Sequence, residues 1–162
     1  DIARDVLPIK PEILANAIFR RTLTDIITLA FTLFPDRSIL TFHAHQFEIL
    51  SVDGHAASPT PEGAHQDGGL IFGRQFVGGS FRGGENQIYK AAFGSDDTPH
   101  KGSLVHQQQL DIPGQILYVN DRNVFHGAAP ITPRPGQTQA RRRIFVGGVH
   151  EPTKEDLAAL DQ

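Results

Sequence analysis

The chain has 162 residues, 39% of them hydrophobic, which is enough apolar sequence for one domain with its own core. Its formal net charge of −3 argues against nucleic-acid binding, and the lack of cysteine excludes disulfides, thiolate metal sites and cysteine nucleophiles. No apolar run approaches the roughly 18 residues of a membrane span, and no signal-peptide pattern opens the sequence. We therefore expect a single cytoplasmic domain over residues 1–162. Methionine is absent even at position 1, so we expect residues to precede Asp1 in the native protein.

The first predicted element is a helix over residues 11–34, PEILANAIFRRTLTDIITLAFTLF. Pro11 suits the first helical position, and Pro35 ends the helix. Apolar residues recur along it at helical spacing, which predicts a helix that covers one side of a sheet. These residues are Ile13, Ile18, Phe19, Ile26, Ile27, Ala30, Phe31 and Phe34.

From about residue 38 to residue 149 the sequence is typical of β-structure. Short segments rich in β-branched and aromatic residues are separated by Gly, Pro, Asp and Asn: SILTFHAHQFEILSV, LIFGRQFV, NQIYKAAF, SLVHQQQL, QILYVND, NVFHGAAPI and RRIFVGGV. A short C-terminal helix follows, with Thr153 as its cap and Asp156 in its first turns. This order predicts a mainly β fold with flanking helices, a double-stranded β-helix of the jelly-roll or cupin-like kind.

The stretch PTPEGAHQDG, residues 59–68, ends in two good metal ligands, His65 and Asp67. In an extended segment, residues two apart point to the same face, so both side chains can project together. The chain has 8 histidines, so one H-x-D pair alone is a weak signal. A third ligand, His126, follows a second predicted strand. Two histidines and one carboxylate form the facial triad of non-haem Fe(II) oxygenases, which leaves coordination positions open for a co-substrate and dioxygen.

Three arginines, Arg141 to Arg143, open the next predicted strand. An oxygenase that uses 2-oxoglutarate needs a cation for the distal carboxylate of that molecule, and arginine binds a carboxylate through two parallel hydrogen bonds. Strand alternation puts Arg142 on the face of Ile144 and Val146, which is the more apolar face and so the better barrel interior. We therefore favour Arg142 for this contact and expect structural salt bridges for its two neighbours.

Several of these stretches together resemble the Fe(II)/2-oxoglutarate-dependent dioxygenases. The generic part is H-x-D, the distal histidine in FHGAAPI, and arginine on the following strand. More specific are the string P-T-P-E-G-x-H-x-D-G, HQFEI before it and G-G-E-N-x-I-Y after it. They are similar to a bacterial branch that contains free L-amino-acid hydroxylases such as L-isoleucine dioxygenase, with biofilm- and stress-associated relatives. The similarity runs from about residue 42 to residue 149.

The resemblance implies that His65, Asp67 and His126 bind iron and that Arg142 binds 2-oxoglutarate. It also implies a hydroxylase acting on a small molecule, with free L-amino acids among the candidate substrates and neither nucleic acid nor membrane as a partner. One position departs from the pattern, because Glu48 stands in HQFEI where the amino-acid hydroxylases are expected to carry a basic residue. A reversed charge there weighs against an amino-acid substrate.

Other histidines offer a rival metal site. His43 and His45 share a strand face, and H-x-H with a carboxylate binds metal in many cupins. Glu48 is three residues past His45, however, and so points to the opposite side. We expect these histidines to be polar residues at a barrel edge. His100 and His106 lack a carboxylate at useful spacing, which favours the surface for both.

Four further polar positions have two interpretations each. Glu62 is either a solvated turn residue or a group that organises the loop or meets a substrate amine. For Arg74 we favour an ordinary surface charge over a contact with a substrate carboxylate. Asn86, after Glu85, either simply begins a strand or hydrogen-bonds a metal ligand. For Asp121 we favour orienting the turn before His126 over a hydrogen bond to an iron ligand.

Three alternatives to the dioxygenase remain open. The same ligands would serve a metal-dependent, cupin-like isomerase or hydrolase that does not use 2-oxoglutarate. A non-catalytic binding protein with a stress or biofilm role would keep the fold without turnover. A purely structural domain would bind no metal.

Overall fold

A computed structural model of the protein describes residues 9–93 and 99–160. The ends of the domain expected over residues 1–162 lie outside these ranges. The described helices are α1 (Pro11–Leu14), α2 (Ala17–Leu33) and α3 (Lys154–Leu160). The described strands are β1 (Thr41–Ser51), β2 (Ile71–Ser80), β3 (Arg82–Gly83), β4 (Asn86–Phe93), β5 (Pro99–Gln108), β6 (Ile116–Asn120), β7 (Val124–Ala128), β8 (Ile131–Thr132) and β9 (Ala140–His150).

The helix predicted over residues 11–34 is divided in two at Asn16. The side chain of Asn16 accepts hydrogen bonds from the backbone N–H groups of Ile18 and Phe19, so it caps a new helix where continuation was expected. Pro11 opens α1, as predicted. No described helix has the length and apolar character needed to cross a membrane.

The β-structure follows the predicted order. Each of the seven predicted segments contributes one strand, and the two-residue strands β3 and β8 are additions. The strands form antiparallel sheets with the orders β1-β9-β2-β6, β5-β4-β7 and β3-β8. Side chains of β2 and β9 reach β4 across the interior, so the larger sheets face one another. This is the predicted double-stranded β-helix.

Strand alternation gives the four-stranded sheet an inner and an outer face. α2 packs on the outer face, where Ile26 and Ala30 form an apolar cluster with Leu70, Ile71 and Val149. A second cluster fills one end of the interior: Phe76, Phe81, Leu110, Ile131, Ala140 and Ile144. The polar groups discussed below occupy the rest of the interior.

The segment between β1 and β2 departs from the prediction. It was expected to be an extended segment carrying the H-x-D pair, but it is a loop in which His65 forms a single bridge with His126. Gly63 and Gly68 have φ values of +86° and +76°, so the backbone turns on either side of the H-x-D pair. At the other end of the chain, Thr153 caps α3 as predicted, because its hydroxyl accepts from the N–H of Asp156 at 3.1 Å.

Candidate metal centre

His65, in the loop before β2, and His126, on β7, form an isolated antiparallel bridge. The N–H of His65 donates to the carbonyl of His126 at 3.0 Å, and the N–H of His126 donates back at 2.9 Å. The His126 side chain on β7 is 1% exposed, and its ring stacks on Phe72 with the centroids 3.8 Å apart. The backbone pairing and this stacking hold the two imidazoles with their centroids 4.8 Å apart.

Asp67 completes the group that the sequence predicted. Its Oδ1 lies 3.3 Å from His65 Nε2, and its Oδ2 lies 3.5 Å from His126 Nε2. One ligand atom from each of the three residues lies within 4.8 Å of the other two. Side-chain exposures of 29% for His65 and 39% for Asp67 leave this group open to the cavity, whereas His126 closes it from behind.

The electrostatics of the group favour a cation. The neighbouring imidazoles of His126 and then His65 hold the pKa of Asp67 far below its usual range, so the carboxylate is ionised at neutral pH. The pKa of His65 is raised, chiefly by its hydrogen bond to Asp67, so the surroundings of this imidazole favour positive charge.

Asp121 fastens the loop that carries Asp67. Its Oδ2 accepts the N–H of Gly69 at 3.0 Å, its backbone carbonyl accepts from Gln66 Nε2 at 2.7 Å, and its N–H donates to the carbonyl of Leu70 at 3.2 Å. The side chain is 1% exposed. Asp121 thus joins the turn before β7 to this loop and positions the residues on both sides of Asp67.

The residues present fit a ferrous ion. The buried Nε2 of His126 has no hydrogen-bond partner, although Asp121 Oδ1 lies 3.1 Å away, because the angles are not those of a hydrogen bond. A cation between this nitrogen and Asp67 would satisfy the orphaned atom. Two imidazole nitrogens and one carboxylate are the donor set that non-haem Fe(II) sites use.

Two arginines lie in the interior of the β-helix. Arg142 is 0% exposed and Arg74 is 4% exposed. Arg74 Nη1 donates to Asn86 Oδ1 at 2.8 Å, and Arg142 Nη2 lies 3.5 Å from the same oxygen. Burial lowers the pKa of each to about 10, so both guanidinium groups stay charged at neutral pH.

The sequence prediction was right about where Arg142 lies and wrong about Arg74. Arg142 shares the inner face of β9 with Ile144, as the alternation argument required. Arg74 was expected to be a surface charge, but it points inward from β2 between Phe72 and Phe76. Both phenylalanines are buried, and their spacing was the signal that places Arg74 on the interior face.

The metal group and Arg74 line one cavity of about 570 Å³, a size that suits a small molecule. Its walls come from β1 and β9, whose side chains alternate into it. The wall residues include His43, His45, Phe47, Ile144, Val146 and His150. His150 was given no function by sequence reasoning, yet its ring lies 4.9 Å from that of His43 on this wall.

The rival site does not form. Glu48 accepts from Arg143 Nε at 2.6 Å and lies 3.7 Å from Arg141 Nε, so its carboxylate is held by the predicted salt bridges. Within residues 9–93 and 99–160, only His65, Asp67 and His126 form a group able to hold a metal ion. His100 and His106 lie exposed on β5, as expected. Asn86 contacts the arginines instead of a metal ligand.

The double-stranded β-helix and its interior His-Asp-His group define a class, the non-haem iron oxygenases. The chain belongs to the 2OG-Fe dioxygenase family, whose model matches residues 1–147. The cofactors of this family are Fe(II) and 2-oxoglutarate. None of the curated proteins has significant sequence similarity to the chain.

Solved structures share the fold. A bsmA homolog from Methylobium petroleophilum PM1 superimposes with a TM-score of 0.70 at 28% identity over 89% of this chain and 55% of that one. IDO from Bacillus thuringiensis gives 0.70 at 19% identity over 90% and 65%. The Fe(II)/α-ketoglutarate-dependent dioxygenase TqaL gives 0.69 at 13% identity over 91% and 58%. The last two are similar in fold alone, and the chain spans only 55–65% of the length of these three proteins.

Proposed function

We propose that the protein is an Fe(II)- and 2-oxoglutarate-dependent dioxygenase that hydroxylates a small molecule. The observation that carries the proposal is the convergence of His65, Asp67 and His126 on one point of a cavity that also contains a buried guanidinium. The buried guanidinium and the buried His126 nitrogen without a hydrogen-bond partner both lower the stability of the fold. Neither therefore has an evident structural purpose.

The roles of the residues follow from their donors. His65, Asp67 and His126 hold the metal ion, and Arg142 binds the distal carboxylate of 2-oxoglutarate. When bound, Fe(II) and 2-oxoglutarate supply the oxidising power that inserts oxygen into a substrate C–H bond. The protein positions the reactants, and the apolar walls of the cavity, such as Phe72, exclude water from them.

For the substrate we propose a free L-amino acid. The departure at Glu48 weighs less against it than the sequence suggested, because Arg141 and Arg143 compensate that charge. The cavity is also lined by the imidazoles of His43 and His45 on its wall and by the carboxylate of Glu62 in the loop. With Arg74, the lining therefore includes both acidic and basic groups. An amino acid, with one ammonium and one carboxylate, has the charges that such a lining complements.

A second candidate is a cupin-like metal protein that does not use 2-oxoglutarate. It is favoured by Asp121 Oδ1, which lies 3.1 Å from His126 Nε2 and offers a second carboxylate beside the metal group. A fourth protein ligand would leave fewer positions open and would suit a hydrolase, an isomerase or a stress-related binding protein.

Succinate formation separates the two candidates. Fe(II)-loaded protein is supplied with 2-oxoglutarate, oxygen and a panel of free L-amino acids, and succinate and hydroxylated product are measured by mass spectrometry. We expect both products with at least one amino acid, and neither with His65→Ala. His106→Ala, which removes an exposed histidine on β5, is the matched control and should keep the parent rate. Equal turnover by His65→Ala contradicts the site, and no succinate under any condition favours the second candidate.

A further inference from the structure

The interior of the β-helix contains more positive charge than one carboxylate contact requires. Arg74 and Arg142 come from different strands, β2 and β9, and approach the same amide oxygen of Asn86. No carboxylate among the described residues forms an ion pair with either guanidinium. Asp67 favours the charged form of Arg74, and Glu85 favours that of Arg142, but both carboxylates act from beyond ion-pair distance. The amide oxygen of Asn86 carries no charge, so two like charges in a buried position call for a further anion.

Hydrogen-bond donors are also in excess. The buried atoms Arg74 Nε, Arg142 Nε and Arg142 Nη1 have no partner. A carboxylate has two oxygens with about four acceptor positions, enough for all three donors. One bound carboxylate would therefore offset one of the two positive charges and supply acceptors for the unpaired N–H groups.

The two guanidinium groups are held in place for such a contact. The Arg74 carbon Cζ lies 5.2 Å from the centroid of the Phe72 ring, and that of Arg142 lies 5.5 Å from the centroid of Phe81. Aromatic contacts of this kind support a guanidinium by its face and leave its N–H edge available. Of the two, Arg74 lines the cavity that contains the metal group, and Arg142 lies next to Arg74 because both contact the same oxygen of Asn86.

Asn86 fixes the spacing of the pair. Its Nδ2 donates to the carbonyl of Gln108 on β5 at 3.1 Å, so Oδ1 is directed at the arginines. The side chain is 1% exposed and has no room to turn toward solvent. Asn86 thus keeps two mutually repelling cations at a defined separation.

We propose that Arg74 is a second contact for the distal carboxylate of the co-substrate, that Arg74 and Arg142 form a two-arginine site for it, and that Asn86 is the positioning residue of this site. The inference rests on the proposed use of 2-oxoglutarate. It assigns to Arg74 a role that the arginine on β9 was expected to perform alone.

Binding of two 2-oxo acids tests the proposal. Calorimetry with Mn(II)-loaded protein measures the affinity for 2-oxoglutarate and for 2-oxobutyrate, which lacks the distal carboxylate. We expect Arg74→Met to weaken 2-oxoglutarate binding by about tenfold to hundredfold, the effect of losing a charge-assisted hydrogen bond, and to leave 2-oxobutyrate unaffected. Arg141→Met, on the outer face of β9, is the control and should bind both as the parent does. Equal 2-oxoglutarate affinity in Arg74→Met, or equal losses for both ligands, overturns the proposal.

A metal-free measurement separates this inference from the dioxygenase proposal. Glutarate, a dicarboxylate without the oxo group, should raise the Tm of the metal-free parent and should not raise that of Arg74→Met. If this holds while the Mn(II)-loaded parent binds no 2-oxoglutarate, the arginine site stands and the dioxygenase proposal fails. If glutarate has no effect on the parent, the arginine site is overturned.

Asn86→Asp provides an independent test should Arg74→Met not fold. It places a carboxylate between the two guanidinium groups, where it competes with the ligand. We expect this variant to fold and to show neither the glutarate-induced rise in Tm nor the parent's 2-oxoglutarate affinity. Parent-like binding of both ligands by Asn86→Asp overturns the proposal.

Discussion

Asp121→Ala perturbs the metal centre without replacing His65, Asp67 or His126. The substitution removes the carboxylate that accepts the N–H of Gly69 at 3.0 Å. The bonds made by the Asp121 backbone, with the side chain of Gln66 and with Leu70, do not depend on the side chain and remain. The loop containing Asp67 thus loses one of its three bonds to this turn and keeps two.

The expected size of the effect follows from burial. The carboxylate is 1% exposed, so its removal leaves the Gly69 N–H without a partner in a place that water does not easily reach. A lost hydrogen bond to a charged group costs about 1.5–3 kcal/mol. For a chain of this length, that lowers the Tm by about 3–12 °C. Because the displaced loop carries Asp67, metal affinity should fall as well, by about tenfold or more.

Urea denaturation of the metal-free protein measures the first effect and Mn(II) calorimetry the second. Asp121→Asn is the matched control for stability, since its amide oxygen can still accept from Gly69. We expect it to lose less than about 1 kcal/mol. Its amide nitrogen would face His126 Nε2 and so compete with the metal. An Asp121→Ala variant with the stability and the metal affinity of the parent would refute the role assigned to this residue.

Three further outcomes follow from the structure. Gly73→Ala should destabilise the protein by about 1–3 kcal/mol in urea denaturation, since the new methyl would lie 2.8 Å from two ring carbons of Tyr118. Gly78→Ala is the control and should be nearly neutral, because its new methyl would have no atom within 4 Å. The pKa of His65 is raised in the folded state, so its protonation stabilises the metal-free protein at pH values below the unfolded-state pKa. This stabilisation is lost as the pH rises through the folded-state pKa. A Tm difference between the parent and His65→Gln that does not change with pH would contradict this prediction. Over the same pH range Mn(II) affinity should rise, because the ion displaces a proton from His65, and calorimetry showing flat affinity would argue against His65 as a ligand.

Local patterns predicted the strands and the face of Arg142. Alternation along β9 was sufficient because Ile144 marks the inner side of the strand. The same alternation on β2 pointed to Arg74, between Phe72 and Phe76. We predicted a surface position for Arg74 because arginine generally prefers the surface. That preference does not hold here, because Asn86 on a distant strand supplies a buried acceptor for Arg74 and Arg142.

Other features depend on contacts that no local pattern contains. The helix break at Asn16 was not predicted, because an asparagine in an apolar periodic stretch either stays inside the helix or caps a new one, and the periodicity does not say which. The H-x-D pair reaches His126 through one bridge in a glycine-containing loop, so the pairing comes from the tertiary fold rather than from strand propensity. The Asp121–Gly69 hydrogen bond joins residues 52 positions apart, which sequence spacing alone does not reveal.

Anaerobic titration with Fe(II) followed by 2-oxoglutarate tests most directly whether His65, Asp67 and His126 hold one ion with open coordination positions. Chelation by the co-substrate produces a visible charge-transfer absorption only when the ion offers it two adjacent sites. We predict a band that saturates at one iron per chain and is lost in both Asp67→Ala and His126→Ala. A band of unchanged intensity in either variant, or no band in the folded parent, would contradict the account.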